Sequence, residues 1–201
     1  MTLKKSFVVL KTTYVRWLLS SRLLIFAFAY MFFYVYFIEP LISLSDYFAT
    51  PLNSVEPFVS LMNSAYFLPL SALTYLILIS DYPKLDDSGT FILFRTGRYA
   101  WILGQIWFLI CSAMTFISFL LISSMLTVMS RSFLINAWSL VSKYTLKPEN
   151  AVLRPDFPFA IIDSSVINQS RPFEAVMHSV TLILMFMLSV GLIQIIFALI
   201  R

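Results

Sequence analysis

Apolar residues run through this chain in four long stretches, and charges mark their ends. Sixteen uncharged residues lie between Arg22 and Glu39, 24 between Glu56 and Asp81, 32 between Arg98 and Arg131, and 26 between Glu174 and Arg201. A membrane-crossing helix needs about 20 mostly apolar residues. With Leu18, Leu19 and a snorkelling Arg22 counted in, the first stretch is long enough as well. The pattern predicts an all-α integral membrane protein, a single membrane domain over residues 1–201, with spans near 18–38, 60–80, 99–127 and 175–200. The third run is long for one crossing, as a tilted helix or one that continues into the following loop. Pro69 falls inside the second span and is expected to kink it, because its missing N–H breaks the backbone ladder.

Ahead of the first span, residues 3–18 read as a basic amphipathic helix. At 3.6 residues per turn, Leu3, Phe7, Leu10, Tyr14, Trp17 and Leu18 share one side, with Val8 as an imperfection on the other. That other side carries Lys4, Lys5, Lys11 and Arg16, the expected contacts to an anionic membrane surface. The same residues would serve a simple anchor or a helix that also touches a cytoplasmic partner.

Lys and Arg also set the orientation. They crowd the N-terminal segment and recur in the 81–98 loop as Lys84, Arg95 and Arg98, while the 39–59 loop has none. The positive-inside rule puts the N-terminus and 81–98 in the cytoplasm and 39–59 and 131–174 outside, in the cell membrane. The first apolar run is too long for a cleavable signal peptide and lacks a small-residue site after it.

Composition sharpens this by exclusion. The chain is 60% hydrophobic and 12% charged, against roughly 25% charged in soluble domains, so a water-soluble globule is excluded. One cysteine, Cys111, and one histidine, His178, leave no internal disulfide and no Cys- or His-pair metal motif. Four glycines leave no phosphate cradle. Glu39, Glu56, Asp81 and Glu174 sit at span edges, where a solvated side chain is the ordinary expectation. The chain is not expected to be an enzyme, and no cofactor, metal or nucleic-acid partner is expected.

Weakly polar positions remain within the spans. Gly104, Phe108, Cys111, Thr115, Ser118 and Ile122 form one face of the third span, suited to packing against another helix or to a substrate path. Gln105 and Gln194 are candidates for hydrogen bonds between helices. His178 stands four residues after Glu174 and is placed to share a hydrogen bond with it. In 131–174, residues 133–146 suit a short interfacial helix. Trp138, Tyr144, Phe157, Phe159, Ile161 and Ile162 suit a packed cap over the helices, or a binding surface outside the cell.

The most informative stretch is 80–101, SDYPKLDDSGTFILFRTGRYAW. Pro83 ends the incoming helix, Asp86 to Gly89 make a polar turn, and Phe91 to Phe94 form an apolar knob. Arg95 and Arg98 follow, and Trp101 marks a membrane interface. Six charges in the 18 residues 81–98 surround that knob, far more than a plain connection needs. A buried knob with charges to set register is the make-up of a docking element.

This run, S-D-Y-P followed by F-I-L-F-R-T-G-R-Y-A-W-I-L-G-Q, resembles the coupling segment of type-2 ATP-binding-cassette exporter permeases. The basic helix at 3–18 is similar to their elbow helix, and the order span, outer loop, span, inner loop, span is shared. The resemblance covers roughly residues 3–128. That class typically has six spans, and four are counted here. The resemblance implies a permease-like subunit that couples to a separate cytoplasmic ATP-binding subunit, beside a second permease subunit, in a bacterial membrane. It implies that Asp81, Pro83, Phe91, Phe94, Arg95 and Arg98 carry the ATPase contact. The alternative is a non-transporting accessory, assembly or immunity-type membrane protein.

Overall fold

The computed structural model describes residues 2–83, 87–146 and 162–200. They are helical almost throughout. Helix α1 covers Thr2–Leu18 and α2 Leu24–Phe33, and a π-helical turn, Tyr34–Ile38, leads into α3, Glu39–Phe48. Helices α4 (Glu56–Asn63) and α5 (Phe67–Ile79) follow, then α6 (Asp87–Thr96) and α7 (Arg98–Val128). Two short helices, α8 (Leu140–Thr145) and α9 (Ser164–Gln169), precede α10, Pro172–Ile200. Three segments, Ser21–Phe48, Arg98–Arg131 and Pro172–Ala198, are long and apolar enough to cross a membrane. They mark the chain as a membrane protein.

The third and fourth expected spans coincide with α7 and α10, and the first two differ. The first does not stop at Ile38. Pro40 supplies no N–H to the preceding turn, and the backbone widens into the π turn instead of ending. The helix then runs on to Phe48, with Leu41 and Leu44 buried where a loop was expected. The second expected span is two helices, α4 and α5, bent by 94°. The break falls at residues 64–66, ahead of Pro69. Pro69 is the third residue of α5, where an N–H has no partner within the helix anyway, so it starts a helix rather than kinking one. At about 1.5 Å per residue, the 13 residues of α5 reach only about 20 Å, short of the roughly 30 Å of hydrocarbon.

The chain divides into two compact units. The first comprises residues up to Ala27, Ala72–Phe116 and Leu184 onward. Here α1 buries Ser6, Val9, Leu10 and Trp17 against the first turns of α7. The approach is close enough to require glycine: a Cβ on Gly104 would lie 2.6 Å from the Val9 side chain. Trp17 stacks edge-on with Phe108 at 5.9 Å, and the hydroxyls of Tyr14 and Thr115 share a hydrogen bond of 2.5 Å. The weakly polar face of the third span thus packs against α1 from Gly104 to Thr115, while Ser118 and Ile122 are exposed. The expected apolar side of α1 splits, with Leu10 and Trp17 turned into the protein and Leu3 and Phe7 left exposed.

The second unit comprises Phe28–Ser71 and Ile117–Ile183. Its core gathers Ile38, Leu41, Leu44, Leu52, Val128 and Val141. Two-residue strands β1 (Leu52–Asn53) and β2 (Ser132–Phe133) pair in parallel, Leu52 opposite Ser132. The helix expected over 133–146 shrinks to α8, capped by the Ser139 hydroxyl, which accepts from Ser142 N–H at 3.3 Å. Of the expected cap residues, Phe157, Phe159 and Ile161 lie outside the described residues. Trp138 is buried and donates its indole N–H to Ser170 O at 2.8 Å.

Candidate functional site

The docking element expected from the sequence forms α6, in the first unit. Gly97 is the single residue between α6 and α7, in a left-handed conformation (φ 86°) that disfavours any residue with a Cβ. Its N–H donates to Leu93 O at 2.9 Å, ending α6, and its own carbonyl accepts from Trp101 N–H at 3.1 Å, opening α7. The apolar knob divides by helical period. Ile92 and Leu93 are half-buried, and Gly89 and Ile92 lie against the α1 residues Val9, Thr13 and Arg16. Phe91 and Phe94 point outward, 66% and 87% exposed, with Arg95, Arg98 and Tyr99 exposed beside them. The chain thus presents two uncovered phenylalanines and the Arg95 guanidinium on one short helix, with Arg98 exposed at the start of the next. Of the polar turn expected over Asp86 to Gly89, Asp86 lies outside the described residues, and Asp87, Ser88 and Gly89 form the first turn of α6 instead.

The segment leading into α6 is tied down. A helix ends with carbonyls that lack partners, and at the end of α5 three side chains from distant elements supply them. Trp17 donates its indole N–H to Leu78 O at 2.9 Å. Arg22 donates to Ile77 O at 2.8 Å and to the Ser80 hydroxyl. Gln194 donates to Ile79 O at 2.8 Å, and to Tyr82 O at 3.4 Å. A cation at this end also complements the helix dipole. Arg22 further pairs with Asp81 at 2.5 Å.

These bonds place the expected contact residues differently from one another. Phe91, Phe94, Arg95 and Arg98 are exposed, as a contact requires. Asp81 is committed within the chain to Arg22. Pro83 is buried and offers no surface, and Trp101 is buried too. Lys4, Lys5, Lys11 and Arg16 are all exposed on α1. The roles of Trp17 and Arg22 at this knot were not legible in the sequence, since their acceptors are backbone atoms 61 and 55 residues away. Gln194 was legible as a hydrogen-bonding residue, though not its acceptor. Gln105 is buried with its amide oxygen unpartnered among the described residues.

In the second unit, two expectations are overturned. Glu56, read as a solvated span-edge residue, is 0% exposed. Its carboxylate accepts from Ser139 N–H at 2.6 Å and from Asn53 N–H at 3.3 Å. Asn53 donates its side-chain amide to Ile135 O and, at 2.9 Å, to Ala137 O. Ser54 N–H donates to Phe133 O at 2.9 Å. These bonds sew segment 52–56 to 132–139, and backbone amides stand in for the water a carboxylate would otherwise need. Arg131 closes the margin with two bonds to Asp46, at 2.5 and 2.6 Å. Glu174 does not bond His178. It accepts from Arg171 N–H at 3.0 Å, capping the start of α10. Asp163 is the N-cap of α9, its side chain accepting from Ser165 N–H at 2.7 Å, and that bond holds its carboxyl below the usual range.

No group of three or more His, Cys, Asp or Glu side chains suited to a metal ion exists among the described residues. Compared with known proteins, the chain matches no family model, no curated protein and no solved structure.

Proposed function

We propose that this chain is a permease-like membrane subunit of an ATP-binding-cassette exporter, in the cell membrane with its N-terminus in the cytoplasm. It would cross the bilayer four times, with α4 and α5 as one broken crossing and α1 as the elbow helix along the inner surface. The observation that carries the reading is the surface of α6. Exposed aromatic side chains flanked by arginines, on a helix held between two membrane segments, are suited to fill a partner groove and fix its register. Burying such side chains only in a complex explains why they are uncovered in the isolated chain.

In this reading the ATPase subunit holds α6, and nucleotide-driven closure of the ATPase pair displaces it. On one side the displacement passes through Gly97 into α7. On the other it reaches the end of α5 and residues 80–82, which Trp17 of α1, Arg22 just after α1 and Gln194 of α10 hold through bonds at residues 77–80 and 82 and an ion pair at Asp81. Hydrolysis belongs to the partner, and a second permease subunit completes the pathway.

The test is purification of the tagged chain from its host in mild detergent, with ATP hydrolysis measured in the eluate. Wild type is expected to bring down an ATPase, and Arg95→Glu/Arg98→Glu and Phe94→Asp are expected to lose it. Recovery of no nucleotide-hydrolysing partner with wild type overturns the reading.

A further inference from the structure

The second unit contains a cavity of about 570 Å³, bounded by α4, the start of α5, α9 and the first three turns of α10. It exists because the chain breaks at residues 64–66 and turns through 94°, so neither α4 nor α5 fills the wedge they open. Its volume falls within the roughly 300–1,000 Å³ of pockets that enclose a small ligand. At roughly 30 Å³ for each heavy atom, the liquid share of a water molecule, it holds about twenty such atoms. That is one long alkyl chain.

The lining is divided. Val59, Phe67, Ala175 and Ile183 make a buried apolar floor. Leu68 and Leu182 stand at its edge and are exposed, and the apolar surface continues along α10 through Met185. The opposite edge carries Asn63, Gln169 and His178, whose side chains are exposed. Among the described residues that line the cavity none is Asp, Glu, Lys or Arg. His178 and the amides of Asn63 and Gln169 are hydrogen-bond donors suited to a phosphate oxygen.

We infer that this cavity is a phospholipid site: one alkyl chain lies on the Phe67–Ile183 floor, and the phosphate meets His178, Gln169 and Asn63. The occupant follows from the medium. The apolar edge opens onto the exposed apolar face of a membrane-crossing helix, so the molecule with access is a bilayer lipid. The polar edge lies at the start of that helix, at headgroup depth. This inference rests on the membrane reading of α10 and not on ATPase coupling, so either can fail without the other.

The test uses the full chain in phosphatidylcholine vesicles doped with a phosphatidylcholine that carries a diazirine in one acyl chain, followed by peptide mapping. Labelling is expected to concentrate at Phe67, Leu68 and residues 179–183, at least fivefold above Ile193 and Phe197, which are exposed on the same helix as 179–183. Ser179→Trp, which fills the cavity, is expected to remove that excess, and Met185→Trp, on the open face, to leave it. Leu182→Trp, at an exposed position, serves if Ser179→Trp does not fold. Uniform labelling along α10, or an excess that survives the filling variant, overturns the site. A diazirine fatty acid in the same vesicles tests the phosphate. Weaker labelling than with the phospholipid, and loss of the difference in His178→Ala, is expected. Equal labelling by both probes overturns the headgroup contact.

Discussion

The end of α5 and the start of α4 face the same problem and answer it differently. At each, backbone groups enclosed by other elements must find partners away from water. At the end of α5, long side chains reach over from distant elements, and the ion pair there stays partly in contact with solvent: Arg22 is 25% exposed and Asp81 45%. At the start of α4, a short carboxylate is fully enclosed and takes its hydrogen bonds from backbone amides. The first arrangement tolerates displacement, because flexible side chains follow a moving carbonyl. The second does not, since a carboxyl pulled off its amides leaves buried polar groups on both sides without partners. The contrast places the adjustable junction next to α6, where a partner would pull, and the rigid one in the other unit.

Three substitutions sharpen or break that contrast, each read as the loss of folded protein on heating in detergent, followed by fluorescence-detected size exclusion. Glu56→Ala should cost most. Two hydrogen bonds are lost at about 0.5–1.5 kcal/mol each, and the Ser139 and Asn53 amides are left buried without partners, at about 1–3 kcal/mol each. Glu56→Gln keeps one acceptor and should recover part of the loss. An alanine variant as stable as wild type would end the description of this seam as rigid.

Trp17→Ala should follow, at about 3–5 kcal/mol for an emptied aromatic site. Its loss includes the bond to Leu78 O and the contacts with Phe26 and Phe108. If Trp17→Phe, which keeps the ring and drops the N–H, restores nearly everything, the residue acts by packing and not as a clamp on α5. Arg22→Ala should cost least, under about 1 kcal/mol for a part-exposed pair, yet it should weaken ATPase capture or coupling if residues 80–83 transmit motion. Large destabilisation with unchanged coupling would reverse the roles assigned to the two termini.

The helical elements themselves were largely legible. Charge-free runs bounded by Arg98, Arg131 and Glu174 locate α7 and α10, because helix formation in an apolar medium depends on local composition and length. The exposed half of the docking knob was legible in part. The block Phe91 to Phe94 stood out, and only the α1 face beneath it showed which two rings point away. Pro69 misled because proline has two meanings, kinking a helix interior or opening a first turn, and the break at 64–66 that decides between them carries no strong local signal.

Sequence alone determined that the chain is helical and membrane-spanning, where its two longest helices lie, and that a charged, aromatic connection separates α5 from α7. Those properties follow from nearest neighbours along the chain: hydropathy, helical period and the spacing of charges. Only the tertiary structure decided that Glu56 is buried, that Arg22 and Trp17 close the end of α5, that Pro83 turns inward, and that the bend between α4 and α5 opens a cavity. Each of these depends on groups brought together from distant parts of the chain, as with Glu56 and Ser139, 83 residues apart. No periodicity encodes such a meeting, since it follows from which surfaces exclude solvent together.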